Sequence, residues 1–268
     1  MRRLLPPADA EVLQDSDARG RGNALWLFRS PKPRLLKLYR PRRSPFVEAL
    51  SEHLTQAVQG VSGVRADVRM RNEQRGLALW AREGFDVVRV LDEPLPPGLE
   101  GPALWLEYVD APLLKTVVRD PAVSWAAKAQ WIERYGANHG ERHERAAARD
   151  ELGLVHEHAG LIHVFARGEQ LVHFDLEGAF CSGTPIREAL AQELSTALRS
   201  LAKSTKESFG AALDAFIAGY ARKELLREAA HWGAHGRSLR RIAKRWADRR
   251  ENASFGKGEV LETLLGRL

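Results

Sequence analysis

Two short apolar runs, Leu161–Phe165 and Leu171–Phe174, flank the turn Ala166-Arg-Gly-Glu-Gln170 and constrain this chain more than any other stretch. Apolar runs separated by a polar, glycine-bearing turn predict a β-hairpin. A histidine-rich loop precedes the first run, and an acidic pair, Asp175 and Glu177, follows the second. Closing the hairpin brings its two ends together, so His156, His158, His163 and Asp175 are expected to converge. Polar groups gathered at the mouth of a hairpin read as a site.

The chain has 268 residues, enough to bury a proper core as one large domain or two small lobes. Its single cysteine, Cys181, excludes an intramolecular disulfide and fits a reducing compartment. The basic start MRRLLPPADAE has its apolar stretch broken by Pro6 and Pro7, too early for a signal peptide. No run approaches the ~18 apolar residues of a membrane span, so a cytoplasmic protein is expected. The net charge of +6 points to an anionic ligand or surface.

Strands are expected at Glu11–Gln14, Asn23–Arg29 and Arg34–Arg40. The intervening DSDARGRG, with Gly20 and Gly22, reads as a hairpin loop or as an arch over a phosphate. Helices are expected from Phe46 to Val58 and from Ala66 to Glu83, then strands at Val87–Leu91 and Ala103–Val109. Helical patterns dominate from Ala111 onward. A β-rich first part and a helical second part predict an α+β protein of two lobes with a cleft between them.

Lys37 interrupts an apolar strand and by alternation shares a face with Leu35 and Tyr39. Glu73 falls in the helical stripe Ala66, Met70, Glu73, Leu77, Trp80. A carboxylate in such a stripe is costly unless paired. Either Lys37 is solvated and Glu73 lies at the edge of its stripe, or the two pair and Glu73 orients Lys37 toward a phosphate.

With these residues in view, the chain resembles the protein-kinase-like fold, most of all its small atypical bacterial and archaeal members. These are the lipopolysaccharide-core and Kdo kinases and the kinase subunit of the KEOPS complex. LLKLYRP is similar to the strand-three lysine motif, and Arg69–Val90 to the helix C segment with Glu73 as its ion-pair glutamate. ALWLEYVDAPLL resembles the hinge, with Glu107 to Val109 linking the lobes, and HFDLEGAF the metal-binding segment in a DFE-type variant. The resemblance implies a β-rich kinase-like N-lobe at 1–107 and a helical kinase-like C-lobe at 108–268. It further implies ATP in the cleft with a divalent metal, Mg²⁺ or Mn²⁺. Lys37, Glu73, Glu107 and Val109 would serve the nucleotide, and Asp175, His163 and Glu177 the metal. The implied acceptor is a small molecule or glycan, with lipopolysaccharide-core or Kdo-type sugars first. The implied location is the cytoplasm, with peripheral placement at the inner membrane.

The departure from the family lies at the catalytic loop. Such kinases carry H-x-D-x-x-x-x-N, whereas here the spacing reads His156-Glu157-His158-Ala-Gly-Leu-Ile-His163. His158 takes the base position and His163 the asparagine position. A histidine near pKa ~6.5 is a competent general base at neutral pH. Imidazole ligates Mn²⁺, Zn²⁺ or Fe²⁺ better than Mg²⁺, so His163 with Asp175 would shift the metal preference. The third outcome is lost chemistry: a pseudokinase that binds nucleotide and a protein or RNA partner. His156 and His173 also fit plain packing under the hairpin.

Weaker constellations complete the reading. His139 and His143, four apart in NHGERHERAAARD, could share a helical face but read as a solvated turn and helix. A His-based metallohydrolase would leave Lys37, Glu73 and the hinge unexplained. SLRRIAKRWADRR, Ser238 to Arg250, puts Leu239, Ile242 and Trp246 on one helical side among arginines and Lys244. It fits a solvated helix on the second lobe, an anionic membrane surface, or less well a nucleic-acid backbone.

Overall fold

The computed structural model describes residues 6–14, 23–41, 47–48, 51–52, 55–56, 60–236 and 255–268. The glycine turn at 15–22 and the basic segment Ser238–Arg250 lie outside the described residues. Of the helix expected from Phe46 to Val58, the six described residues are helical.

The chain is mixed α+β. Its main sheet is antiparallel, with β1 (Ala10–Gln14), β2 (Ala24–Phe28), β3 (Arg34–Leu38), β5 (Val90–Leu91) and β6 (Ala103–Glu107) in the order β1-β2-β3-β6-β5, while the short β4 (Val61–Ser62) pairs outside it with Ala179 and Phe180. Strand alternation splits its side chains between two cores. Trp26, Phe28, Leu36, Leu38 and Trp105 form a small cluster on one face. Leu35, Tyr39, Leu104 and Leu106 join the main core on the other, which places Lys37 on that side too. The register sets Lys37 opposite Leu25 on one side and Leu104 on the other.

Helix α1 (Ala66–Arg82) packs against this face and buries Ala66, Arg69, Glu73, Leu77 and Trp80. The buried stripe therefore follows the expected one except that Arg69 replaces Met70. Arg69 is buried because its guanidinium finds acceptors, the Arg40 carbonyl at 2.6 Å and the Asn23 side chain. Helices α2 (Leu114–Arg119) and α3 (Trp125–Arg149) follow. After the hairpin come α4 (Ile186–Thr205), α5 (Phe209–Gly219), α6 (Lys223–His235) and α7 (Lys257–Leu265). Helices α3 and α5 touch backbone to backbone. A Cβ on Gly136 would lie 2.1 Å from the Phe216 carbonyl oxygen, so this crossing requires glycine.

The hairpin forms, shifted from its expected bounds. Leu161–His163 is a single 3-10 turn, and the strands are β7 (Val164–Arg167) and β8 (Gln170–His173). Ala166, Arg167 and Gln170 extend the ladder because Gly168, at φ 61°, closes the loop in two residues. The strand expected at Val87–Leu91 splits. Val90 and Leu91 pair with β6, while the Val88 amide donates to the His173 carbonyl at 3.0 Å. That division ties the hairpin to the main sheet.

Expectation and structure part most clearly at His139 and His143. Both are fully buried, not solvated. They lie on the face of α3 that also buries Ile132, Tyr135, Arg142 and Ala146. His139 Nδ1 donates to the Tyr135 carbonyl at 2.9 Å and His143 Nδ1 is hydrogen-bonded to the Tyr220 hydroxyl at 2.8 Å, while the Glu193 carboxylate of α4 lies 3.4 Å from His139 Nε2 and 3.2 Å from His143 Nε2. Arg142 Nη2 donates to the same carboxylate at 2.6 Å. Among the described residues no helix is long and apolar enough to cross a membrane.

Candidate functional site

Strand alternation turns Lys37 toward α1, and helical periodicity turns Glu73 toward the sheet. Lys37 Nζ donates to Glu73 Oε2 at 2.5 Å, with both side chains almost wholly buried. The Tyr39 hydroxyl, two residues along the same strand face, donates to the same oxygen at 2.6 Å. Glu73 is thus neutralised and hydrogen-bonded, which is what a carboxylate in an apolar stripe needs.

The segment leaving the hairpin completes the cluster. Asp175 Oδ1 accepts from Lys37 Nζ at 2.5 Å, and Glu177 Oε2 lies 3.4 Å from it. Asn23 Nδ2 donates to Glu177 Oε2 at 2.6 Å, and Arg69 Nη1 lies 3.7 Å from Glu177 Oε1. Asp175 has φ 64°, a left-handed conformation that aspartate tolerates better than most residues and that packing must hold. Leu176 is buried beside Gly76 of α1, and Asn72 Nδ2 donates to the Glu177 carbonyl at 3.1 Å. A Cβ on Gly63 would meet that same carbonyl oxygen at 2.7 Å. The acidic segment is therefore clamped between α1 and its preceding loop.

Charge in this cluster is set by burial and proximity. Burial opposes the charge on Lys37, but Glu73, Asp175 and Glu177 overcome it and raise its pKa, so it stays cationic. Burial likewise opposes ionised Asp175, and Lys37, then His163, hold it well below the usual carboxylate range. Burial lifts Glu73 despite Lys37.

Two cations, Lys37 and Arg69, face three carboxylates. Oxygens of Glu73, Asp175 and Glu177 lie within 4.8 Å of one another. His163 Nδ1 is buried without a hydrogen bond, 3.5 Å from Asp175 Oδ2. Two hard oxygen donors, an unsatisfied imidazole nitrogen and an excess of negative charge fit a divalent ion.

The histidine loop sits against the same point. His156 is buried; its Nδ1 accepts from the His158 amide at 3.0 Å, and its Nε2 lies 3.4 Å from the Phe174 carbonyl. Burial first, then His163, pushes its pKa down to about 4, so it is a neutral strut between the loop and the residue before Asp175. Glu193 accepts from the His156 amide at 2.9 Å and fixes the start of the loop. His173 is also buried, edge-on to Trp80 with centroids 5.1 Å apart.

His158 behaves differently. Its side chain is 57% exposed, and its Nε2 lies 2.6 Å from Glu157 Oε2. Desolvation would lower its pKa, but the hydrogen bond and charge of Glu157 prevail and raise it. Glu157 also accepts from Gln192 Nε2 at 3.2 Å, and a Cβ on Gly178 would lie 3.0 Å from Glu157 Oε2. An imidazole backed by an oriented carboxylate is a proton acceptor strengthened by its neighbour.

Glu107 and Val109 stand apart from this cluster. Glu107 closes β6 and accepts from Arg89 Nε at 2.8 Å and Arg167 Nη1 at 3.1 Å, while Val109 is buried. Glu157, Arg69 and Asn23 carried no mark in the sequence pattern. A carboxylate adjacent to a histidine is a weak signal, since neighbours in a chain seldom face each other except in loops. The buried arginine could have been found as a second charge beside Glu73 on the α1 stripe.

No protein-family model matches the chain, and no curated protein matches it.

Proposed function

We propose that the chain is an atypical phosphotransferase with the two-lobed organisation of protein-kinase-like enzymes, binding ATP and a divalent metal between a β-rich N-lobe and a helical C-lobe. The observation that supports this reading best is Lys37 held between Glu73 and Asp175. A buried cation aimed by one carboxylate toward another is what the α- and β-phosphates of a metal nucleotide require. Glu73 and Tyr39 position Lys37, which holds the phosphates. Backbone groups from Glu107 to Val109 would meet the purine. Asp175, His163 and Glu177 would hold the metal, which when bound screens phosphate charge.

In the transfer, the acceptor oxygen attacks the γ-phosphorus and the bond from that phosphorus to the β–γ bridging oxygen breaks. ADP leaves, and the acceptor proton passes to His158, with Glu157 stabilising the imidazolium. A lipopolysaccharide-core or Kdo-type sugar ranks first among acceptors, in a cytoplasmic protein placed at the inner membrane. The test is ATP consumption with Mg²⁺ and Mn²⁺ side by side, with Asp175→Ala as control. Turnover that Asp175→Ala abolishes supports the reading; turnover that it leaves intact rejects it.

One observation favours a second reading. Histidines occupy both the base and the asparagine positions of the loop, and Lys37 pairs directly with Asp175. A pseudokinase that binds nucleotide and a protein or RNA partner would combine tight ATP binding with no turnover under either metal.

A further inference from the structure

A cavity of about 550 Å³ opens beside the cluster, with His158, His163 and Asp175 on its wall. Its volume suits a molecule the size of a substituted sugar. The rest of its lining is cationic and comes from three separate helices. Helix α2 contributes Lys115 and Arg119, one turn apart on one face. Helix α4 contributes Thr196, Arg199, Ser200, Lys203 and Ser204. Those positions follow i, i+3, i+4, i+7, i+8, so a whole helical face is hydroxyl and cation where packing would demand apolar residues. Helix α7 contributes Lys257 from its first turn.

Among the described residues, no carboxylate lies within ion-pair distance of Lys115, Arg119, Lys203 or Lys257. The two acidic residues on the cavity wall, Asp175 and Glu177, already face Lys37. The Arg119 guanidinium is steadied by donating to the Lys203 carbonyl at 3.1 Å, which holds α2 against α4. Ser200 Oγ accepts from the Leu161 amide at 3.0 Å, tying the cationic face to the loop that carries His158 and His163. Ile162, 41% exposed, adds an apolar surface between the histidines and the cations.

We infer that this cavity is the acceptor site and that the acceptor is a small hydroxyl compound already bearing phosphate or carboxylate groups. The inference rests on the phosphotransferase reading for the role of His158, but the anion site stands on its own lining. Cationic side chains on α2, α4 and α7 grip the anionic substituent, and the hydroxyl is left facing His158. A neutral sugar would leave those like charges crowded and uncompensated.

The test uses the full chain, with glucose 6-phosphate as probe, glucose as its neutral counterpart and ATP with Mn²⁺ as a separate ligand. Binding is measured by calorimetry on the wild type and on Lys115→Gln/Lys203→Gln, whose fold is checked by its melting curve. Lys203 is exposed and Lys115 half-buried, so the double variant keeps its packing. The expected result is that glucose 6-phosphate binds at least tenfold more tightly than glucose. The variant then loses about tenfold or more of that affinity, as removal of charged hydrogen-bond donors predicts. Its ATP binding is expected to stay unchanged. Equal affinity for both sugars, or an unaffected variant, overturns the anion site. A parallel loss of ATP affinity overturns the acceptor assignment, because the cations then serve the nucleotide's own phosphates. Retained sugar-phosphate binding without any ATP binding rejects the phosphotransferase reading alone and leaves the anion site in place.

Discussion

Lys37 Nζ and Asp175 Oδ1 lie 2.5 Å apart although 138 residues separate them in the chain. The contact joins the central strand of the sheet to the exit of the hairpin, and Glu73 closes it from α1 at 2.5 Å. A buried cation between carboxylates is stable only as a set, because removing one member strands the charge of another.

Stability should therefore respond non-additively. Lys37→Met leaves Glu73 buried beside Asp175 and Glu177 and is expected to cost about 3 kcal/mol. Adding Glu73→Gln should recover a large part of that loss. Urea denaturation of both single variants and the double variant measures the coupling. Additive losses would mean that the buried pair is not one unit.

Nucleotide binding should raise the melting temperature in the wild type. ATP with Mn²⁺ at about 100 times its Kd is expected to add roughly 2.7 kcal/mol. Asp175→Ala, which removes a metal carboxylate and a Lys37 partner, should abolish that gain. A thermal shift retained in Asp175→Ala would remove Asp175 from the nucleotide site.

Turnover should depend on the histidine–carboxylate pair of the loop. His158→Ala is expected to lower kcat by about 10² or more while leaving ATP affinity nearly unchanged. Glu157→Gln should give a smaller loss in the same direction, since Glu157 only orients and strengthens the imidazole. Single-turnover kinetics beside ATP calorimetry separates the two quantities, and matching losses in both would place His158 in nucleotide binding instead.

Metal preference should follow His163. Its Nδ1 lies 3.5 Å from Asp175 Oδ2 without a hydrogen bond, and His163→Asn replaces a nitrogen donor by an oxygen. The expected outcome is a shift of relative ATP affinity from Mn²⁺ toward Mg²⁺. An unchanged ratio in metal-dependent ATP titrations would exclude His163 as a ligand.

Acid should unfold the protein early. Burial first, and the Arg142 charge with it, holds the pKa values of His139, His143 and His173 below the ordinary histidine range. Below pH ~6.5 the unfolded chain takes up protons that the folded chain refuses, so stability falls as pH drops. Each such group contributes up to about 1.4 kcal/mol per pH unit, and three together up to about 4. Glu193, buried but held ionised first by Arg142 and then by His143, loses its stabilising charge only at lower pH. Urea midpoints from pH 7.5 to 5 read the slope. A flat profile across that window would mean that these histidines are not neutral in the fold.

Local periodicity alone determined where the strongest elements lie. The alternation around Lys37 chose its face, the 3.6-residue stripe of α1 turned Glu73 inward, and two apolar runs marked the hairpin. Each of those signals is carried by residues within a few positions of one another. Tertiary structure decided what lay beyond that range. The charges of NHGERHERAAARD read as solvated, yet packing of α3 against α4 buried Arg142 because Glu193 supplied the compensating charge, and buried His139 and His143 beside it as neutral imidazoles. The hairpin bounds moved because a two-residue closure at Gly168 let Ala166, Arg167 and Gln170 add ladder hydrogen bonds. Arg69 entered the core through acceptors from Asn23 and Arg40, and three separate helices set their cations around one cavity. A sequence pattern records which side of its own element a residue faces, whereas burial of a charge depends on a partner that only the folded chain brings within reach.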